Sequence, residues 1–446
     1  MNETDAKLTS IIPRLRGGLT ENRISRPSRG RVRDVTGLMI SASLDEVRIG
    51  EICDLVDPKS CQRGKAEVVG FRDDTAILLP LGDIQNLSSL TEVIPTRNVQ
   101  QIRVGPGLLG RVIDSLGNPI DGASLDTDYN WNFYPVMAHA PPPLERMLIS
   151  EPIHVGVRAI DGMLTCAQGQ RVGLFGAPGV GKSLLLADIV AGSNADITVV
   201  ALIGERGREV REFMEHHLGT ESRQRCVVVA ATSDRSSIER VKAAHVATTI
   251  AEYFRDQGKH VLLAVDNITR FARAQREIGL AAGEPPTRRG FPPSFFAALP
   301  RLLERAGPSS TGSITGFYNV LMEGDGTQDP VVEEVQALLD GHIFLSSDLA
   351  QRNHFPAIDV VRSNSRLMSK VIDNQHRATA AHIRRLLARY QEVELLIRIG
   401  EYEKGSDALT DEAIAKIDAI NGFLQQKQPM RASIEETLLL MQEITA

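Results

Sequence analysis

The chain has 446 residues, of which 42% are hydrophobic and 24% charged, with a formal net charge of -6. That length predicts two to four domains with an ample core, and the composition excludes wholesale disorder. An acidic balance with only 4% aromatics argues against a protein that coats nucleic acid by bulk charge or stacks bases along a broad surface.

Four cysteines, Cys53, Cys61, Cys166 and Cys226, lack CxxC spacing and histidines at zinc-finger intervals. They predict neither a metal site nor a disulfide framework, and they fit a reducing compartment. The sequence has no signal-like apolar core at its start and no run of about 18 apolar residues that could span a bilayer. The expected location is the cytoplasm.

Residues 1–33 carry Lys7, Arg14, Arg16, Arg23, Arg26, Arg29, Arg31 and Arg33 against Glu3, Asp5 and Glu21. They read either as a frayed solvated terminus or as a basic arm for an acidic lipid surface or a partner. From residue 34 to 99, short runs such as "AEVVGF" and "TAILLPL" punctuated by Gly, Asp-Asp and Pro predict a small β-barrel or sandwich. A connecting segment, with "VGPGLLGRVIDSLGNPIDG" and the proline-rich "HAPPPLERMLISEP", leads into a larger unit, taken together as 100–370.

There, "RVGLF", "DITVVALIG", "RCVVVAATS", "HVLLAVD" and "GSITGFYNVL" alternate with helical patterns. The alternation predicts an α/β domain with a parallel sheet covered on both faces. From 371 to 446, stretches such as "AAHIRRLLARYQEVELLIRIGEY" predict a C-terminal helical domain.

Gly176-Ala177-Pro178-Gly179-Val180-Gly181-Lys182-Ser183 fits G-x-x-x-x-G-K-[ST], follows the strand "RVGLF" and opens an apolar helix, with Gly176 to Leu184 the expected nucleotide-binding stretch. That context identifies a P-loop. Bare glycines let backbone N–H groups surround phosphate oxygens at a helix N-terminus. Lys182 would reach the β/γ-phosphates, and the Ser183 hydroxyl would ligate Mg²⁺. The apolar run into Asp266 puts a carboxylate at a strand tip, where a Walker-B aspartate holds the metal shell. Glu205, directly after "TVVALIG", would sit at the sheet edge beside the P-loop strand and polarise the attacking water.

The segments "GAPGVGKS", "GERGREVREF", "TTIAEYFRDQGKHVLLAVDNITRFARAQREIGLAAGEPPTRRGFPPS", "LERAG", "LDGHIFLS" and "FPAIDVVRSNSRLM" together closely resemble the export ATPases of type III secretion systems, themselves similar to the catalytic heads of rotary ATP synthases. The resemblance implies a RecA-like P-loop NTPase core, an N-terminal β-barrel that serves oligomerisation and a C-terminal helical domain that meets chaperones and substrates. It implies ATP as substrate with Mg²⁺, Glu205 as catalytic carboxylate, Arg206 and Arg270 as phosphate-side or network arginines, Phe355 as the aromatic on adenine, and Arg366 as an arginine finger serving the neighbouring subunit. Ala177 and Pro178 depart from the more usual "GSGVGKS", but at free positions of the motif.

By the same resemblance, the expected partners are a homohexameric ring, a central stalk protein, a negative regulator or stator protein, chaperone–effector complexes and the export gate at the inner membrane, with no nucleic acid. The Pro/Gly-rich loop 283–294 would face the ring's pore, with Arg288 and Arg289 meeting an acidic stalk or a passing substrate. Because one chain carries both Glu205 and Arg366, sites shared between identical neighbours follow. "DPVVEEVQALLDGH" looks more like the virulence-type enzymes than the flagellar ones, which remain an alternative. A hexameric RNA translocase and a non-catalytic ring subunit are the other competing readings; the former is disfavoured by the sparse aromatics, the latter by Lys182 with Glu205.

Overall fold

The computed structural model describes residues 29–58, 63–82, 87–126, 129–324, 326 and 329–446, so most of the basic arm lies outside the described residues. The chain divides into two units, residues 1–99 and 100–446.

The first unit is a closed six-stranded barrel in the order Gly30–Thr36, Met39–Ser43, Thr75–Pro80, Arg63–Arg72, Glu51–Val56 and Glu92–Val99. Closure leaves no unpaired sheet edge. Inward residues at alternate positions, among them Val32, Ile40, Leu55, Val68 and Leu78, form its core. The first strand starts at Gly30, so residues 30–33, read from sequence as the end of the arm, are barrel strand instead. Arg33 donates to Ser43 Oγ at 3.1 Å, and Arg29 pairs with Glu92 at 2.9 Å.

The second unit is built on a sheet ordered Asn364–Ser365, Gly341–Phe344, Arg171–Gly176, Ser313–Leu321, His260–Asp266, Ile197–Ile203, Cys226–Ala231 and Val112–Ile113. Neighbours along this path are parallel except at Asn364–Ser365, which is antiparallel. Every residue of Ile197–Ile203 and of Cys226–Ala231 is buried, as strands covered on both faces require.

Side-chain alternation sends Val199, Ala201 and Ile203 into one core, and Val200 and Leu202 into another. The first core is covered by the helices Ser237–Asp256, Ile268–Ala281 and Pro293–Leu303. The second is closed by the P-loop helix Lys182–Gly192 together with Ile383, Leu386, Ile417, Ile420, Phe423, Met441 and Ile444 of the C-terminal helices Asn374–Arg398, Ala408–Leu424 and Ile434–Thr445. The C-terminal helices thus finish the core that carries the P-loop helix. No helix among the described residues is long and apolar enough to cross a membrane.

Candidate active site

The carboxyl ends of the parallel strands converge on one place. Strand Arg171–Gly176 runs into the phosphate loop, where Gly179 (φ 83°) and Gly181 (φ 91°) take left-handed backbone that glycine alone adopts cheaply. The helix Lys182–Gly192 begins at once and no side chain caps it, which leaves its first N–H groups and positive end available to an anion.

Lys182 is buried, and its Nζ donates to the carbonyls of Gly176 at 2.8 Å and Ala177 at 2.6 Å. Burial pulls its pKa down to about 8, against the opposing charges of Asp266 and Glu205. Asp266 ends its strand buried; Oδ1 accepts from Asn319 Nδ2 at 2.9 Å, and Ser183 shares its cavity. Burial raises its pKa despite Asn319 and Lys182.

Glu205 follows the strand Ile197–Ile203, and its Oε1 accepts from Asn267 Nδ2 at 2.9 Å. Burial, then the charge of Asp266, then a hydrogen bond with Glu209 push its pKa up, and Arg270 opposes them. Arg270 lies close because Gly204, at φ 69°, has no Cβ: one there would meet the Arg270 stem at 3.2 Å. Ser183, Leu184, Glu205, Glu209, Phe213 and Asp266 share a cavity of about 320 Å³.

Beyond Leu184 lies a second cavity of about 620 Å³, lined by Val180, Gly181, Phe355, Pro356, Gln425, Gln426 and Gln428 among others. Its C-terminal wall is strapped down by polar contacts. Gln426 N donates to the Phe355 carbonyl at 2.9 Å, and the Gln426 side chain bridges Arg158 N and the Gly156 carbonyl, each at 2.9 Å. Gln428 Nε2 and Met430 N both donate to Asp188 on the P-loop helix, at 2.9 Å and 3.4 Å. An apolar slot with a half-exposed aromatic, next to a phosphate cradle, is shaped for a nucleotide base.

Ser183 and Asp266 present oxygen donors only, in a cavity shared with Glu205, which is the donor chemistry Mg²⁺ prefers. No cluster of three potential side-chain ligands occurs among the described residues. That suits an ion that takes its remaining ligands from phosphates and water.

The structure therefore brings together Gly176 to Leu184, Glu205, Asp266, Arg270 and Phe355. Two sequence expectations need correction. The Glu205 strand is neither at the sheet edge nor beside the P-loop strand: Ser313–Leu321 and His260–Asp266 intervene. Glu205 still reaches the site because parallel strands share their carboxyl ends. Arg206 is 68% exposed, pairs with Glu209 at 3.6 Å and lines neither cavity.

Arg366 is exposed, at the amino end of the sheet. It follows Ser365, which pairs with Gly341 beside Val172, so it stands level with Arg171. Five residues of strand, roughly 16 Å, separate that level from Gly176. Arg288 pairs with Glu333, and Arg289 lines a separate cavity with Arg273 and Arg276. Sequence reasoning missed Asn267, which directly follows Asp266 and reaches Glu205, and Asn319 and Gln426, amides brought in from distant segments.

A P-loop on a parallel sheet, two carboxylates at strand tips and a base slot define a nucleoside triphosphate hydrolase of the ATP synthase type, and the comparisons agree. Residues 156–365 match the ATP synthase alpha/beta family nucleotide-binding domain, 32–97 its beta-barrel domain, and 372–443 the T3SS EscN ATPase C-terminal domain. The chain is 53% identical over 423 residues to the type 3 secretion system ATPase of Sinorhizobium fredii, covering 95% of this chain and 93% of that one. It is 46% identical to the flagellum-specific ATP synthase of Bacillus subtilis, covering 93% and 95%.

The assembled ATPase EscN of the enteropathogenic E. coli type III secretion system, solved with its central stalk EscO, superposes with a TM-score of 0.86 at 46% identity, over 94% of this chain and all of that one. The chain belongs to the type 3 secretion system ATPase family, and its activity is ATP hydrolysis in protein secretion.

Proposed function

We propose that the chain works as a homohexameric, Mg²⁺-dependent ATPase whose sites are shared between neighbours, and that it releases chaperones from export substrates and unfolds them at the cytoplasmic face of the export gate. The single observation that carries the shared site is the separation of Arg366 from its own P-loop along the length of the sheet. A finger there serves only a site presented by another copy.

In this reading the P-loop amides and Lys182 hold the β/γ-phosphates, and Ser183 and Asp266 hold the metal. The ion, when bound with ATP, offsets phosphate charge. Glu205, with its raised proton affinity, orients and deprotonates the attacking water; Asn267 fixes its direction. Arg270, whose Nε makes no hydrogen bond, lies beside Glu205 and is placed to take a phosphate oxygen. Phe355 packs on adenine. Arg366 of a neighbour completes charge neutralisation in the in-line transfer to water.

A central stalk, such as EscO is for EscN, would enter the ring's pore and meet the loop 283–294 that carries Arg289. Chaperone–effector complexes are assigned to the C-terminal helices, a regulator or acidic lipid at the inner membrane to the basic arm.

The test is ATP turnover per chain against protein concentration, with Lys182→Ala as the blank. A rate that climbs and then plateaus as rings form supports shared sites. A Lys182-dependent rate from particles sized as monomers overturns them.

A further inference from the structure

The geometry points to Gln170 as the residue that positions the Arg366 finger, acting through Ser365. This rests on the shared-site reading of Arg366. Gln170 is fully buried immediately before the P-loop strand. Its amide is used at both ends: Oε1 accepts from Ala167 N at 2.8 Å, while Nε2 donates to the Asp340 carbonyl at 3.2 Å and to Ser365 Oγ at 3.1 Å. Ser365 Oγ in turn donates to the Thr165 carbonyl at 2.9 Å. The same Asp340 carbonyl accepts from Arg366 N at 3.1 Å.

These contacts act at the finger itself: upstream, Ser363 Oγ accepts from Phe344 N at 2.9 Å and fastens the preceding residues, while Asn364 and Ser365 rest on a short pairing. Asn364–Ser365 is a two-residue strand, paired among the described residues with Gly341 and His342. Gly341 is bare where Gln170 passes: a Cβ there would meet Gln170 Nε2 at 2.9 Å. Asp340 is itself fastened to the start of the P-loop strand, its carboxylate accepting from Arg171 N at 3.2 Å and Nε at 3.1 Å.

The chain leading into the finger, up to Arg366 N, is thus tied to the base of the strand whose far end is the chain's own P-loop. A finger gains from such support, since displacing a catalytic group by about 1 Å costs on the order of 100-fold in rate. Gln170 touches no reacting atom and is a positioning residue.

Gln170→Ala and the milder Ser365→Ala are expected to lower kcat about 10–100-fold with the dissociation constant of a non-hydrolysable ATP analogue unchanged, while Ser365→Thr, which keeps the hydroxyl, retains kcat. Co-assembly separates this from damage to the P-loop. Gln170→Ala chains mixed with Lys182→Ala chains should recover turnover, because a Lys182→Ala neighbour lends an intact finger to an intact P-loop.

Unchanged kcat in both alanine variants, or loss of analogue binding, overturns the inference. So does failure of the Gln170→Ala or Ser365→Ala mixtures when Arg366→Ala mixed with Lys182→Ala does recover. Failure of the Arg366→Ala mixture as well removes the shared-site reading, and the inference with it.

Discussion

Asn267 joins Glu205 to the helix that follows Asp266: its Nδ2 donates to Glu205 Oε1 at 2.9 Å while its Oδ1 accepts from Arg270 N at 2.9 Å, capping Ile268–Ala281. The carboxylate is thereby held in one direction by a residue whose own rotamer is locked. Glu205→Gln keeps that hydrogen bond and removes only the base. Its turnover should fall about 10²–10⁴-fold with nucleotide affinity retained; kinetics and calorimetry on the same preparation check both halves.

Glu205 also carries a stability cost. Its pKa in the native protein lies above the ordinary 4.5 because of burial and Asp266, so the native state holds a proton there that the unfolded chain has released. Stability therefore falls as pH rises from 4.5 through the raised value. Glu205→Gln escapes that loss: without metal or nucleotide, its melting temperature should exceed that of the parent at alkaline pH and converge with it near pH 4.5. A melting series across pH measures the difference.

Phe355 is 40% exposed on the wall of the base slot. Stacking of a base on an aromatic is worth about 1–3 kcal/mol, so Phe355→Ala should raise KM for ATP roughly tenfold or more while leaving kcat nearly unchanged. Steady-state kinetics with ATP decide it.

Asn319, fully buried, holds Asp266 by its Oδ1. Removing such an outer partner weakens metal binding about 10–100-fold. Asn319→Ala should shift the Mg²⁺ concentration for half-maximal turnover upward by that order, and chelation should abolish turnover in parent and variant alike.

Arg305 is 1% exposed and forms a doubly hydrogen-bonded pair with Glu252, at 2.9 Å and 2.6 Å, while also donating to the Val136 carbonyl and Thr249. Glu252→Ala strands that charge in the core and should cost about 3–5 kcal/mol of stability, read as a lower denaturant midpoint.

What the sequence made legible follows from distance along the chain. Gly176 to Ser183 is one contiguous turn whose glycines, lysine and following helix are all local, so the phosphate cradle could be read directly. The apolar strand ending in Asp266 was readable for the same reason. The position of Glu205 in the sheet was not: strand order depends on which crossovers pack, and two strands from later in the chain insert between it and the P-loop strand. Strands of two residues, such as Val112–Ile113 and Asn364–Ser365, are too short to show a period. Asn319 and Gln426 carry no pattern, and Asn267 shows only as a helix cap, because their value at the site comes from hydrogen bonds to partners tens to hundreds of residues away.

The clasp between Gln428 and Asp188 spans 240 residues of chain. During synthesis at about 5–20 residues per second, the P-loop helix leaves the ribosome roughly 10–50 s before the segment that walls its base slot. A half-made chain can present a phosphate cradle, but it cannot yet close a slot around adenine. A chain stalled before the strap has its phosphate loop but lacks the wall that Gln426 and Gln428 fasten.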